Sequence, residues 1–246
     1  YQVSWPCGKR VGTAFDYHPP KKGLNFRTNL YYMETGDLGR TWRTVSGEPL
    51  AVPLTEAKNP ALVHDFEADG LLVYVKDLNY DAEGRPAILI VTSRGWQPGP
   101  QNSPHTWRVV RWTGGAWKIS DIAVSNNNYD SGSLYTGPGG VWRIVGPTEP
   151  GPQAYNPGGE IALWSSRDSG DTWTRDRVLT ANSEYNHGHA RRPLNAHPGF
   201  FSFWADGHGR QPSDSRLYFC DITGENVYRL PVTMTEDFQT PERVGP

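Results

Sequence analysis

The chain lacks what a disulfide-built, helical or membrane-spanning protein needs. Only 2 of its 246 residues are Cys and only 2 are Met. Cys7 and Cys220 lie near opposite ends and are too few for a disulfide framework, so two unpaired, partly buried thiols are expected. No apolar run approaches the ~18 consecutive residues of a membrane helix. There is no basic-then-apolar leader, so a secretion signal is expected to be absent or already removed. Neither sign of charge dominates: 24 Lys+Arg against 26 Asp+Glu leaves a net charge of -2. That balance gives no reason to expect nucleic acid or an anionic membrane as a partner. No amphipathic helical pattern exceeds about two turns.

Glycine, proline and aromatics are abundant, with 27 Gly, 21 Pro, 10 Trp and 12 Tyr, and long helices tolerate neither Gly nor Pro. Strand-length runs recur, among them Ala87-Ile-Leu-Ile-Val91, Thr106-Trp-Arg-Val-Val-Arg-Trp112 and Phe200-Phe-Ser-Phe-Trp204. Trp112-Thr-Gly-Gly-Ala-Trp117 reads as a tight hairpin with an aromatic on each strand. The runs fall into four groups, 10–42, 60–119, 128–173 and 185–228, each with three or four strands. Repeating units of about 40–50 residues with four strands each are the pattern of propeller blades. The expected fold is therefore all-β, a β-propeller of four-stranded antiparallel blades, with about four blades here. Residues 1–246 form either one such domain or the later part of one.

Two segments share the pattern Ser/Thr-x-Asp-x-Gly-x-Thr-Trp: Thr35-Gly-Asp-Leu-Gly-Arg-Thr-Trp42 and Ser166-Arg-Asp-Ser-Gly-Asp-Thr-Trp173. The Asp accepts from turn amides, the Gly takes a positive φ, and the Trp folds over the turn. This is the Asp-box, and it assigns Asp37 and Asp168 to turn bracing rather than catalysis.

Further segments resemble the bacterial-neuraminidase-repeat propellers of ulvan lyases and related enzymes. They are Asn59-Pro-Ala-Leu-Val-His64, Asn128-Tyr-Asp-Ser-Gly-Ser-Leu-Tyr135, Trp142-Arg-Ile-Val145, Tyr185-Asn-His-Gly-His-Ala-Arg-Arg-Pro193 and Asn195-Ala-His-Pro198. The resemblance runs from about Arg10 to Pro231. It implies a seven-bladed ring, of which this chain supplies about four blades, unless the ring here is smaller. It also implies enzymes that cut where rhamnose meets glucuronate. Where that family often carries His before Asn-Tyr, this chain has Asn127.

A uronate lyase removes the C5 proton beside a carboxylate, so a cation must neutralise the charge while a base and an acid move protons. By the resemblance, Arg143 meets the carboxylate, and His64 and Tyr129 are base and acid in an order left open. His187 and Arg191 orient substrate, and Tyr185, His189, Arg192 and Asn128 complete the binding set. In a propeller, blade-initial residues meet at the mouth of the central channel. No cofactor is required. A structural zinc or calcium is conceivable, with His197, His208 and Cys220 as donors, but their spacing fits no standard zinc pattern and ordinary loop histidines are the preferred reading.

The expected substrate is an acidic polysaccharide, and the reaction a β-elimination, by an enzyme secreted or periplasmic because such polymers lie outside the cell. The alternatives are a rhamnosidase-type hydrolase on the same linkage and a non-catalytic sugar-binding propeller. A hydrolase needs paired carboxylates, and Asp130, Glu149 and Glu160 form no recognisable pair.

Overall fold

A computed structural model describes residues 1–245, which form four antiparallel sheets. The first runs β1 (Gln2–Cys7), β2 (Arg10–Tyr17), β3 (Thr28–Thr35), β4 (Trp42–Arg43) and β5 (Pro49–Leu50), and β6 (Leu62–His64) pairs with β3 off that path. The second holds β7 (Leu72–Tyr80), β8 (Pro86–Ser93), β9 (His105–Trp112) and β10 (Trp117–Ser125). The third holds β11 (Ser133–Thr136), β12 (Trp142–Glu149), β13 (Glu160–Ser166) and β14 (Thr174–Val178). The fourth holds β15 (His187–Arg191), β16 (Ser202–Asp206), β17 (Leu217–Cys220), β18 (Val227–Arg229) and β19 (Glu242–Val244). The propeller-type, all-β expectation is borne out.

Alternation along β8 shows how the sheets stack. Every residue of Pro86–Ser93 is buried, so this strand is covered on both faces. Ile88 and Ile90 pack with Ala14, Leu30 and Tyr32 of the first sheet. Ala87, Leu89 and Val91 pack with Leu134, Trp142 and Ile144 of the third. Val145, Ile161 and Leu163 face the other way, onto Trp204 and Tyr218 of the fourth. Each fully buried aliphatic side chain in these layers contributes about 1.5–3 kcal/mol.

The Trp112–Trp117 hairpin forms as expected. The two residues pair across β9 and β10 with ring centroids 5.5 Å apart. Both Asp-boxes form as well. Asp37 accepts from the Thr41 amide at 2.9 Å and its hydroxyl at 2.7 Å, and Asp168 does the same with Thr172 at 2.9 and 2.6 Å. The turn bonds hold Asp37 at about 2, against an ordinary 3.8, and push Asp168 lower still. Gly39 and Gly170 take φ of +84° and +88°, the left-handed turn the motif requires. Cys7 and Cys220 are both free.

Several boundaries differ from the sequence reading, and the fourth sheet gains β19 beyond residue 228. The first sheet begins at Gln2, because Gln2–Cys7 pairs residue for residue with β2. The segment that ends in His64 belongs to the first sheet, where His64 pairs with Leu30, and the second sheet starts only at Leu72. The 60s segment is short and its three strand residues are only half-buried, so sequence pattern cannot choose its partner.

Candidate active site

The edge strands β7, β11 and β15 bring the second, third and fourth sheets to a common hub. The loop 126–131, between β10 and β11, reaches over it. Tyr129 leads this loop: its hydroxyl donates to Oδ1 of Asn25, and its ring meets Tyr74 edge-on at 5.6 Å. The loop is fixed from inside by Asn127, whose Oδ1 accepts from the Tyr129 amide at 2.9 Å and whose Nδ2 donates to the Tyr155 carbonyl at 2.7 Å. Burial raises the Tyr129 phenol, and the neighbouring Arg27 guanidinium partly offsets it.

Arg27 is buried in an aromatic cage, its guanidinium 3.5 Å from the Tyr1 ring centre, 5.3 Å from Tyr74 and 5.4 Å from Tyr129. Its Nε donates to the Leu24 carbonyl at 3.3 Å, and among the described residues no carboxylate pairs with it. A caged cation with unused N–H groups at a hub is suited to an anionic ligand.

A cleft of about 280 Å³ opens beside Tyr129, between the third and fourth sheets. Ser131, Gly158, Asn186, His189, Asp206 and His208 are among its walls. His189 is open to the cleft, yet enough protein surrounds it for burial, then the charges of Arg191 and Lys76, to push it below its ordinary 6.5. Both influences favour the neutral imidazole, the form that accepts a proton. Arg191 donates to the Lys76 carbonyl at 3.4 Å. The cleft's Asp206 and the buried Asp130 near it are both already engaged. Asp130 accepts from the Gly158 amide at 2.7 Å, and Asp206 from the Arg216 amide at 2.6 Å and the Tyr218 hydroxyl at 2.8 Å.

The structure places Tyr129, His189 and His208 on one cleft, with Arg191 outside its lining at the Lys76 carbonyl, and the other expected residues also lie outside the lining. Arg143 pairs with Tyr135 and Ser165, near the Trp142 end of β12. The cleft lies at the opposite, Glu149 end, beside Gly158, after roughly 20 Å of strand. The expectation that Arg143 shares a hollow with Tyr129 is corrected by strand direction. His64 sits on the outer part of the first sheet, its Nε2 2.7 Å from Asp69 Oδ2 and its ring edge-on to Phe66. The segment 25–30 borders both: His64 pairs with Leu30, and Asn25 accepts from the Tyr129 hydroxyl.

His187 is a structural residue rather than a substrate ligand. It is buried, its Nδ1 accepts from the Trp204 indole at 3.0 Å, and its Nε2 lies 2.9 Å from the Ser183 hydroxyl. Arg192 is structural too. It donates to the Leu134 and Leu78 carbonyls at 3.1 and 3.3 Å, lies 3.4 Å from Asp77 Oδ1, and covers the Trp5 ring at 4.3 Å. One side chain of the fourth sheet's connection thus ties the other three together. Asn128 is buried and offers its carbonyl inward, and Tyr185 lies beside Glu184 outside the cleft lining.

The suggested metal donors do not converge. His197 Nδ1 accepts from the Gly199 amide, and His208 Nδ1 from the Arg210 amide. Cys220 lies in the core, where burial pushes its thiol up to about 12. Among the described residues no three His, Cys, Asp or Glu side chains are grouped to hold a metal ion.

Arg27, Lys76, Tyr74 and Asn25 escaped the sequence reading. None lies in a motif, and only the stacking of sheets brings them to Tyr129.

Comparison with known proteins agrees with this architecture. Residues 11–125 match the model of a BNR repeat-containing family member. The likeness to BNR-repeat proteins and ulvan lyases holds. An ulvan lyase of Nonlabens ulvanivorans is 27% identical over 184 residues, covering 68% of this chain and 36% of that protein. An ulvan lyase of Alteromonas sp. (strain LOR) is 25% identical over 207 residues, covering 78% of this chain and 40% of its own length. The solved structure of an ulvan lyase from a new family of polysaccharide lyases superposes with a TM-score of 0.69 at 20% identity, over 90% of this chain and 51% of that one. A second polysaccharide lyase gives 0.57 at 14% identity, over 90% and 45%. These superpositions establish the shared fold. The chain spans about half or less of the length of each of these relatives.

Proposed function

We propose that this chain carries the reactive cleft of a polysaccharide lyase that cleaves uronate-containing, ulvan-like glycans by β-elimination. The observation that carries this reading is that His189 and Tyr129 line one cleft, beside Arg27, which pairs with no carboxylate among the described residues. His189 takes the C5 proton. The electron pair forms the C4–C5 double bond, the C4–O4 bond breaks, and the Tyr129 hydroxyl protonates the leaving oxygen. Arg27 and Arg191 meet the uronate carboxylate and offset the charge that develops on it. In this reading the neutralising charge comes from side chains.

A related ulvan lyase structure was solved bound to -[GlcA(1-4)Rha3S]-. We take a glucuronate–rhamnose linkage as the substrate, met outside the cytoplasm where such polymers lie. A hydrolase reading loses ground because Asp130 and Asp206 are already hydrogen-bonded within the protein.

The test is incubation with a glucuronate–rhamnose glycan. An ultraviolet-absorbing unsaturated uronate is expected, and Tyr129→Phe should slow its formation by about 10²–10⁴-fold. Free rhamnose without the new double bond would replace this reading with hydrolysis. Retained binding with no cleavage would leave a sugar-binding propeller.

A further inference from the structure

Lys76 is a buried cation in the hub-side edge strand of the second sheet. Its neighbour Asp77 is also buried and accepts from the Leu134 amide at 2.8 Å, in the third sheet. Lys76 Nζ donates to the Asn128 carbonyl at 2.7 Å, in the loop that leads into the same sheet. Consecutive residues of a regular strand point to opposite faces, so both cannot reach the third sheet without an irregularity. The register supplies one. Val75 pairs with Ile90 and Asp77 with Leu89, so Lys76 is the extra residue of a β-bulge. Bulges beside reactive clefts re-aim a side chain in this way.

The groups around Lys76 come from every neighbouring element. Asp130 and Asn128 belong to the Tyr129 loop, Arg27 to the segment before β3, Asp16 to β2, and Arg191 and His189 to β15. Tyr74, on β7 itself, has its ring centre 5.6 Å from Nζ. Burial drives the ammonium toward its neutral form and the Asp130 carboxylate opposes this. Among the described residues, the hydrogen bond from Nζ ends on the residue immediately before Tyr129.

We propose that Lys76 is the positioning residue of this cleft: its ammonium pins the Tyr129 loop through the Asn128 carbonyl and supplies the positive field beneath His189. The inference rests on the lyase reading for its meaning in catalysis, but not for its test. Asp130 is the counterweight. It follows Tyr129, binds the opposite cleft wall through the Gly158 amide, and tempers the field of Lys76.

The experiment is an NMR titration of the full chain carrying ¹³C-labelled histidine, with the His189 signal assigned by its loss in His189→Gln. In Lys76→Met the His189 midpoint should rise by about half a unit or more, and Lys76→Arg should restore it. Lys76→Gln, which keeps a donor for the Asn128 carbonyl while removing the charge, should raise the midpoint as well, and it stands alone as the test if Lys76→Met does not fold. A midpoint unchanged or lowered in Lys76→Met, or in Lys76→Gln, overturns the proposal. Where turnover is measured, Lys76→Met should lower kcat about tenfold or more with KM little altered, and its acid limb should move to higher pH. Shifted midpoints without any glycan cleavage would reject the lyase reading alone. Cleavage with static midpoints would reject the role of Lys76 alone.

Discussion

The rim and the hub of this molecule treat charge in opposite ways. At the rim, Asp37 and Asp168 are ionised in turns that supply every bond from within a few residues. At the hub, Lys76 and Asp130 are buried, and their partners lie in other sheets or across loops. Local bonds push the rim carboxylates below their ordinary value, whereas burial pushes Asp130 above it and Lys76 below. Turn chemistry is self-contained and stabilises a hairpin wherever it is placed. Hub chemistry exists only when several sheets have assembled.

If that contrast is right, breaking a hub bridge should damage the fold most. Arg192→Ala leaves Asp77 buried without its cation and removes the guanidinium from the Leu134 and Leu78 carbonyls. A loss of about 3–5 kcal/mol is expected in denaturant unfolding. A loss below about 1 kcal/mol, the range of a surface pair, would put Arg192 in the same class as the rim ions.

A smaller effect should follow from pH. Burial lowers His187, and its Nδ1 already accepts from the Trp204 indole, so the folded state resists a second proton. The folded value lies below 6.5, so the unfolded chain binds the proton first. The stabilisation is complete above 6.5 and is lost as pH falls toward the folded value. Stability measured from neutral pH down to about pH 5 should decline, and His187→Gln should decline less steeply. Equal slopes in the two proteins would show that His187 does not report the hub's burial.

The smallest effect belongs to the rim. Asp37 is held at about 2 against 3.8 unfolded, so its contribution is present above 3.8 and disappears as pH falls toward about 2. Asp37→Asn should cost a small amount of stability at neutral pH and flatten the decline between pH 3.8 and about 2, the two proteins converging at lower pH. A large loss at neutral pH would mean that the Asp-box braces more than its own turn.

The same contrast explains what could be read from the sequence. The Asp-boxes, the Trp112–Trp117 hairpin and the four strand groups are local patterns, and local patterns survive translation into structure. Tyr129 could be singled out because its surrounding motif carries the family likeness, and it lines the cleft. The hub could not. His187 and His189 lie on one face of a regular strand, yet His189 takes a φ of +55° where the β15–β16 register breaks between Gly188 and Arg191. One histidine thus enters the core and the other the cleft. A bulge hides Lys76 in the same way. Arg191 and Arg192 look like one pair in sequence, but one flanks the cleft and the other bridges the sheets. Arg143 was misplaced because the direction of β12, which decides the end at which a residue lies, leaves no mark in the sequence of that strand.

The central claim is that reaction occurs in the hub cleft between Tyr129 and His189. It is tested most directly by following unsaturated uronate formation from a glucuronate–rhamnose oligosaccharide in two variants side by side. His189→Ala should abolish the ultraviolet signal while Arg143→Ala keeps it near the parent level. A silent Arg143→Ala beside an active His189→Ala would contradict the account and move the chemistry to the other end of the third sheet.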